Sequence, residues 1–190
     1  MEYAALAAEG TPLVAKEFLH LGSRAAVDQT LSRLARSGNL LRVGRGLYVR
    51  PVEGRFGVRP PGAAAIVQAI VAQGGEMVVP HGAAAANGLG LTTQVPVREV
   101  YLTSGPTRRL QLEKQVVELR HAPAWQLAHP GSKAGALIRA LAWLGPERAS
   151  GELDAVREKL SEEERNAVMA TRRMLPAWMA RQVGRLVPHA

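Results

Sequence analysis

The stretch "LGSRAAVDQTLSRLARSGNLLRVGRGLYVRP", residues 21–51, decides how the first part of this chain is read. Ser23 stands where a helix N-cap belongs, and behind it Val27, Leu31 and Leu34 recur at helical spacing. These three apolar side chains fall within roughly 60° of arc, with Ala25, Gln29, Ser32 and Arg36 centred on the opposite side and Arg33 flanking them. One face packs and the other is left to solvent or a partner. Gly38 is placed to end the helix. Beyond it the period changes: "NLLRV" and "LYVRP" are short β-prone runs separated by "GRG", the pattern of a hairpin with a glycine-tolerant turn.

Upstream, Thr11 before Pro12 is a helix-start signal and predicts a short helix to about His20, with Gly22 allowing a tight turn. A helix, a turn, a second helix and a basic hairpin is the order of a winged helix-turn-helix. In that arrangement the second helix enters a major groove, and the wing lies along the phosphates. Residues 32–51 hold five arginines and no acid. On this reading Arg33 and Arg36 sit on the recognition helix, while Arg42, Arg45 and Arg50 sit on or beside the wing. Each phosphate neutralised releases counterions, so affinity should fall steeply with salt. An arginine-bearing helix face alone is more often an ordinary solvated surface. The hairpin, the missing acids and the overall charge move the balance toward DNA. Tyr48 is read as a strand or core residue rather than a base-stacking platform.

The chain as a whole is permissive of that reading. Its 190 residues are 47% apolar, enough for a real core, and Lys and Arg outnumber Asp and Glu by 24 to 16. The isoelectric point of about 10.7 makes a polyanion such as nucleic acid, or an anionic membrane surface, the natural partner, and composition alone does not choose between them. There is no cysteine, which excludes disulfides, thiolate zinc sites and cysteine nucleophiles. "MEYAALAAEG" lacks the basic and apolar regions of a signal peptide, and "AAAIVQAIVA" and "GALIRALAWL" are too short to span a bilayer. A cytoplasmic protein with no membrane partner is expected.

From Val52 to Gly62 proline and glycine interrupt every pattern, so residues 1–52 form the expected DNA-binding domain, 53–62 a linker and 63–190 a second domain. "PGAAAIVQAIVAQGG" predicts a buried helix and "PHGAAAANGLGL" a short one ending near Asn87 or Gly88. "VREVYLT", "RRLQL" and "KQVVELRH" predict a small, mainly antiparallel sheet. Leu137, Ile138, Leu141 and Leu144 share a helical face that Gly145-Pro146 should stop, and Ser161 with Glu164 forms a capping-box pattern before a helix that Pro176 divides. The fold class expected is α+β.

Two stretches, residues 21–51 and "PHGAAAANGLGLTTQVPVREVYLTSGPTRRL", residues 80–110, together make the chain resemble the AbiEi-type antitoxins of bacterial type IV toxin–antitoxin systems. They cover about a third of the chain, and "NGLGLTTQVP" followed by "YLTSG" is the specific part. In that family a helix precedes the helix-turn-helix, and here it would fall on residues 2–8. The resemblance implies a phage-defence protein that represses its own operon by binding promoter repeats. It also implies a cognate toxin with a nucleotidyltransferase-like fold.

No constellation for independent chemistry stands out. His20, His81, His121, His129 and His189 form no close helical pair, so no metal site and no cofactor are expected. "HGAAAANGLG" lacks the Lys-Ser/Thr of a phosphate-binding loop. Thr103, Ser104, Thr107, Arg108 and Arg109 are grouped as a phosphate would require, yet Ser-Gly-Pro is also plain turn chemistry, which is the reading preferred. Glu162, Glu163 and Glu164 suit a helix N-terminus, and Trp125, Trp143 and Trp178 suit packing. An enzyme is not expected. The DNA-contacting set is Ser23, Arg24, Ala25, Gln29, Ser32, Arg33, Arg36, Arg42, Arg45 and Arg50, with Gln29 and Arg33 as base readers. A partner-binding set of Thr92, Thr93, Gln94, Thr103, Arg108 and Arg109 is expected on the second domain.

Overall fold

The structure is a computed structural model that describes residues 12–55, 57–59, 61–112 and 115–186. Leu13 and Val14 settle into a strand, β1 (Pro12–Val14), rather than the helix that Thr11-Pro12 predicts. Proline is tolerated at the start of a strand, and here pairing and burial outweigh the local helix signal. β1 lies antiparallel to β3 (Leu47–Val49), Leu13 facing Tyr48 across the ladder. Only a single 3₁₀ turn, Ala15–Phe18, remains of the expected helix. The helix expected at residues 2–8 lies outside the described residues.

Helix α1 (Arg24–Arg36) forms as its periodicity dictates. The Ser23 hydroxyl accepts the Ala26 N–H at 3.3 Å, and Gly38 leaves the helix at φ +78°. β2 (Leu41–Gly44) then turns through Arg45-Gly46 into β3, with Gly46 at φ +68° and a register irregularity between Arg42 and Gly44. The sheet order is β1-β3-β2. Phe18, Val27, Leu31, Leu40 and Tyr48 pack over it with Leu13.

The expected linker holds a second hairpin, β4 (Val52–Gly54) and β5 (Gly57–Arg59). Its glycines, Gly57 at φ +104° among them, make a tight turn rather than a flexible tether. Helix α2 (Ala63–Gly74) follows and ends on Gly75 at φ +62°. It is not buried all round: Ile66, Val67 and Ile70 point inward, whereas Ala64, Ala65, Gln68 and Val71 are exposed. The chain divides into two compact units, one of residues 1–76 with 108–118 and the other of residues 77–107 with 119–190. The first division thus falls after α2, not at the expected linker, and a later segment is counted with the first unit.

The other strands are β6 (Val78–Pro80), β7 (Glu99–Thr103), β8 (Arg108–Leu112) and β9 (Gln115–His121), ordered β6-β7-β9-β8. The last three match the sequence reading. β6 is too short to signal itself and exists by pairing antiparallel with β7. The second unit adds α3 (Gly82–Gly88), α4 (Ala124–Leu127), α5 (Lys133–Arg157), α6 (Glu162–Thr171) and α7 (Ala177–Val183). The fold is α+β, with seven α-helices among the described residues. Leu137, Ile138, Leu141, Val156, Val168 and Met179 are fully buried at the centre of this unit.

Gly145, at φ 77° and ψ 172°, breaks α5, but the helix resumes at once instead of stopping. Pro146 begins the second segment, where its missing N–H costs nothing. The capping box at Ser161 is formed both ways: its hydroxyl accepts the Glu164 N–H at 3.1 Å, and the Glu164 carboxylate accepts the Ser161 N–H at 2.9 Å.

Two positions in the second unit test this packing. A Cβ on Gly82 would run into the carbonyl oxygen of Arg139 and lie 2.6 Å from the Trp143 Cβ, so α3 packs on α5 only because Gly82 has no side chain. Gly82→Ala should therefore cost about 1–3 kcal/mol in thermal or urea unfolding, whereas Gly88→Ala, which meets nothing within 4 Å, should not. Arg139 is the second position: it is 3% exposed, and its Nε has no hydrogen-bond partner among the described residues. One terminal nitrogen donates to the Gln126 carbonyl over 3.4 Å. Burial lowers its guanidinium pKa to about 10, which still leaves the charge in place at neutral pH. Arg139→Met, which keeps the volume and removes the desolvated charge, should leave the melting temperature unchanged or raise it. A large loss of stability would show that the guanidinium is better satisfied in the folded protein than this geometry implies.

Candidate nucleic-acid interface

The helix α1 distributes its residues as a two-faced helix must. Val27 and Leu31 are buried against the sheet, and Ala25, Gln29, Arg33 and Arg36 are exposed on the other side. Gln29 and Arg36 make no hydrogen bond or ion pair among the described residues, so both side chains are free to meet a ligand. Arg33 donates weakly to the Thr30 hydroxyl at 3.4 Å, and Thr30 itself donates back to the Ala26 carbonyl at 2.9 Å.

Three members of the expected set have local tasks. Ser23 caps the helix, as above. Arg24 places its Nε 3.0 Å from the Asp28 carboxylate, one helical turn on. Both partners are well exposed, and an exposed pair of this kind contributes only about 0.5 kcal/mol, so a phosphate could take the arginine over. Ser32 is half-buried at the edge of the solvent face, and its hydroxyl lies 3.2 Å from the Tyr48 hydroxyl. Its place is the seam between helix and sheet rather than the middle of the exposed face. Tyr48, 3% exposed, belongs to the core, as expected of an aromatic in that strand.

On the hairpin Arg42 and Arg45 are exposed and Arg50 is half-buried. Arg42 Nε reaches back to the Gly44 carbonyl at 3.4 Å, while Arg45, at the tip, has no partner among the described residues. Gly44 and Gly46 on either side keep that tip narrow, and Gly46 takes the left-handed conformation the turn needs. The arrangement thus offers one exposed amide side chain, Gln29, and several cations on a helix and a hairpin joined by the Ser32–Tyr48 contact.

The second expected set is divided. Arg108 and Arg109 are counted with the first unit, Thr92, Thr93, Gln94 and Thr103 with the second. Thr103 is fully buried, and its hydroxyl accepts the Gly105 N–H at 3.0 Å, so it offers no contact surface. Arg108 holds the Glu76 carboxylate with two nitrogens, at 2.8 and 3.1 Å. The loop at residues 92–94 is pinned by Asn87, whose amide donates to the carbonyls of Thr92 and Gln94, each at 3.2 Å. In the "TSGPT" segment the hydroxyls are occupied by backbone amides: Ser104 accepts from Met77 at 2.9 Å and Thr107 from His121 at 2.9 Å. These two bonds tie the segment to distant backbone, whereas the Thr103 hydroxyl, accepting from Gly105 two residues on, makes the local bond of a turn. Among the described residues no three His, Asp or Glu are grouped to hold a metal ion, and no helix is long and apolar enough to cross a membrane.

A family model matches residues 3–168, most of the chain. The chain belongs to the DUF6088 family. Its description is that of a family of unknown function. No curated protein and no solved structure matches the chain.

Sequence reasoning missed several residues of this DUF6088 chain that hold its local structure. Asp28 is visible in hindsight, since an acid four residues after Arg24 is a helical ion-pair spacing. His81, whose Nδ1 accepts the Ala83 N–H at 3.2 Å as the cap of α3, and Glu76, partner of Arg108, left no local signal. The Ser32–Tyr48 contact is open to a double-mutant test. Ser32→Ala and Tyr48→Phe should each cost about 1 kcal/mol in urea unfolding, and the double variant little more than either. Fully additive losses would mean that the two hydroxyls do not act on each other.

Proposed function

We propose that the first unit is a winged helix-turn-helix, its first helix reduced to the 3₁₀ turn at Ala15–Phe18, that binds double-stranded DNA. The observation that carries this reading is the exposed face of α1 followed by the Arg45 hairpin, with no acid anywhere in residues 32–51. Helix α1 would enter a major groove, with Gln29 pairing to adenine and Arg33 to guanine, each contact worth about 1–3 kcal/mol of discrimination. Ala25 would line the same groove. Arg36, Arg42, Arg45 and Arg50 would meet phosphates and set the register, with Arg24 joining once released from Asp28. Ser32 would act indirectly, by fixing the helix on the sheet through Tyr48.

The wider role follows from the resemblance to AbiEi-type antitoxins: a cytoplasmic autorepressor that binds inverted repeats in its own promoter and counteracts a nucleotidyltransferase-like toxin. No enzymatic activity of its own is part of this reading. A second reading, in which the protein neutralises the toxin by direct contact, is favoured by one observation. The loop after α3 exposes Val95 at 74% and Val97 at 100%, apolar side chains that a protein partner would cover. Thr92, Thr93 and Gln94 precede them on the same loop. Co-purification of a toxin that Val95→Asp/Val97→Asp abolishes, with DNA binding intact, would support it.

Fluorescence anisotropy of the full chain on its promoter duplex and on a scrambled duplex, over a salt series, tests the main reading. Sequence-dependent, salt-sensitive binding is expected. Arg45→Ala should weaken binding on both duplexes alike and reduce the salt slope by about 1, whereas Gln29→Ala should relax preference at one base position. Equal binding to both duplexes at every salt concentration, or none at low salt, would reduce the basic hairpin to an ordinary surface.

A further inference from the structure

The first unit contains a cleft of about 740 Å³ that lies beside the hairpin. Its floor is apolar, made by Val14, Leu47, Ile70 and Leu110. Its rim is charged: Lys16 comes from the 3₁₀ turn, Arg45 from the hairpin tip and Arg109 from β8. Two carboxylates also reach the rim, and both are engaged. Glu76 is gripped by Arg108, and Glu17 accepts the Val14 N–H at 3.4 Å. Lys16 and Arg45 have no partner among the described residues, and Arg109 stands 4.0 Å from Glu118 while 76% exposed. Lys16, Arg45, Arg108 and Arg109 thus outnumber Glu17 and Glu76 around an apolar floor, in a volume typical of small-molecule sites.

The geometry points to a binding site for a small amphipathic anion: a carboxylate or phosphate head held by Lys16, Arg45 and Arg109, and an apolar body laid on the half-buried Val14 and Leu47. A purely polar anion would leave the floor wet, and a neutral apolar molecule would leave the cations unused. Because Arg45 is shared with the proposed DNA surface, an occupied cleft would draw that cation away from a phosphate. This consequence rests on the DNA reading, whereas the site itself does not.

The site is tested without DNA, on the full chain, by titration with the fluorescent aromatic sulfonate 1-anilinonaphthalene-8-sulfonate. Hexanoate, hexyl phosphate and hexanol then compete against it. Saturable binding is expected, displaced by hexanoate or hexyl phosphate and not by hexanol, and the stronger of the two anions identifies the head group. Lys16→Ala/Arg109→Ala, at two exposed positions, should weaken the dye by roughly tenfold or more. The pair Arg172→Ala/Arg173→Ala, exposed cations of the second unit, should leave it unchanged. The proposal is overturned if the first double variant binds the dye like the unaltered protein. It is equally overturned if the second pair loses as much, or if hexanol competes as well as the anions. A negative promoter assay alongside dye binding would remove the DNA reading and leave the cleft standing.

Discussion

The first unit depends on how α1 is seated. Val27 and Leu31 anchor its inner face, and the 3.2 Å contact between Ser32 and Tyr48 fixes its position over β3. A helix held only by apolar contacts can slide or rotate by small amounts, because those contacts are non-directional. A buried phenol that must satisfy its hydroxyl removes that freedom. Everything proposed for the outer face, from Gln29 to Arg36, inherits its orientation from this contact. It also explains why Ser32 is better understood as a fastener than as a groove contact.

Arginine is used in three physically different ways in this chain. Arg36 and Arg45 stand in solvent without partners among the described residues, where a guanidinium costs little and keeps its full attraction for an anion. Arg108 is committed to Glu76 in a two-pronged pair that ties β8 to the segment after α2. Arg139 is buried in the second unit with its charge poorly satisfied. Net charge alone does not separate these uses. Only the first kind could serve the proposed nucleic-acid surface, and of the exposed arginines Arg36 lies on α1 and Arg45 at the hairpin tip.

The cleft adds a second possible use for the hairpin. Its tip is narrow because Gly44 and Gly46 flank Arg45. One side chain answering to two anions would link their binding. Membership of DUF6088 leaves room for both uses, as the family carries no assigned activity.

What the amino-acid sequence determined by itself is the local structure. The 3.6-residue period and the Ser23 cap set α1, the capping box set α6, Pro176 set the break before α7, and the β-prone runs set β7 to β9. Each of these signals acts between residues a few positions apart, where propensity and capping decide. The tertiary structure decided the rest. It made β1 out of a stretch with a helix signal, because pairing with β3 and burial of Leu13 outweighed the local preference. It turned a presumed linker into a hairpin, moved the unit boundary past α2, and divided the expected partner-binding residues between two units. Ser32 meets Tyr48 across 16 positions and Arg108 meets Glu76 across 32. Such pairs are chosen by which surfaces are buried together, and no short window of sequence contains both members.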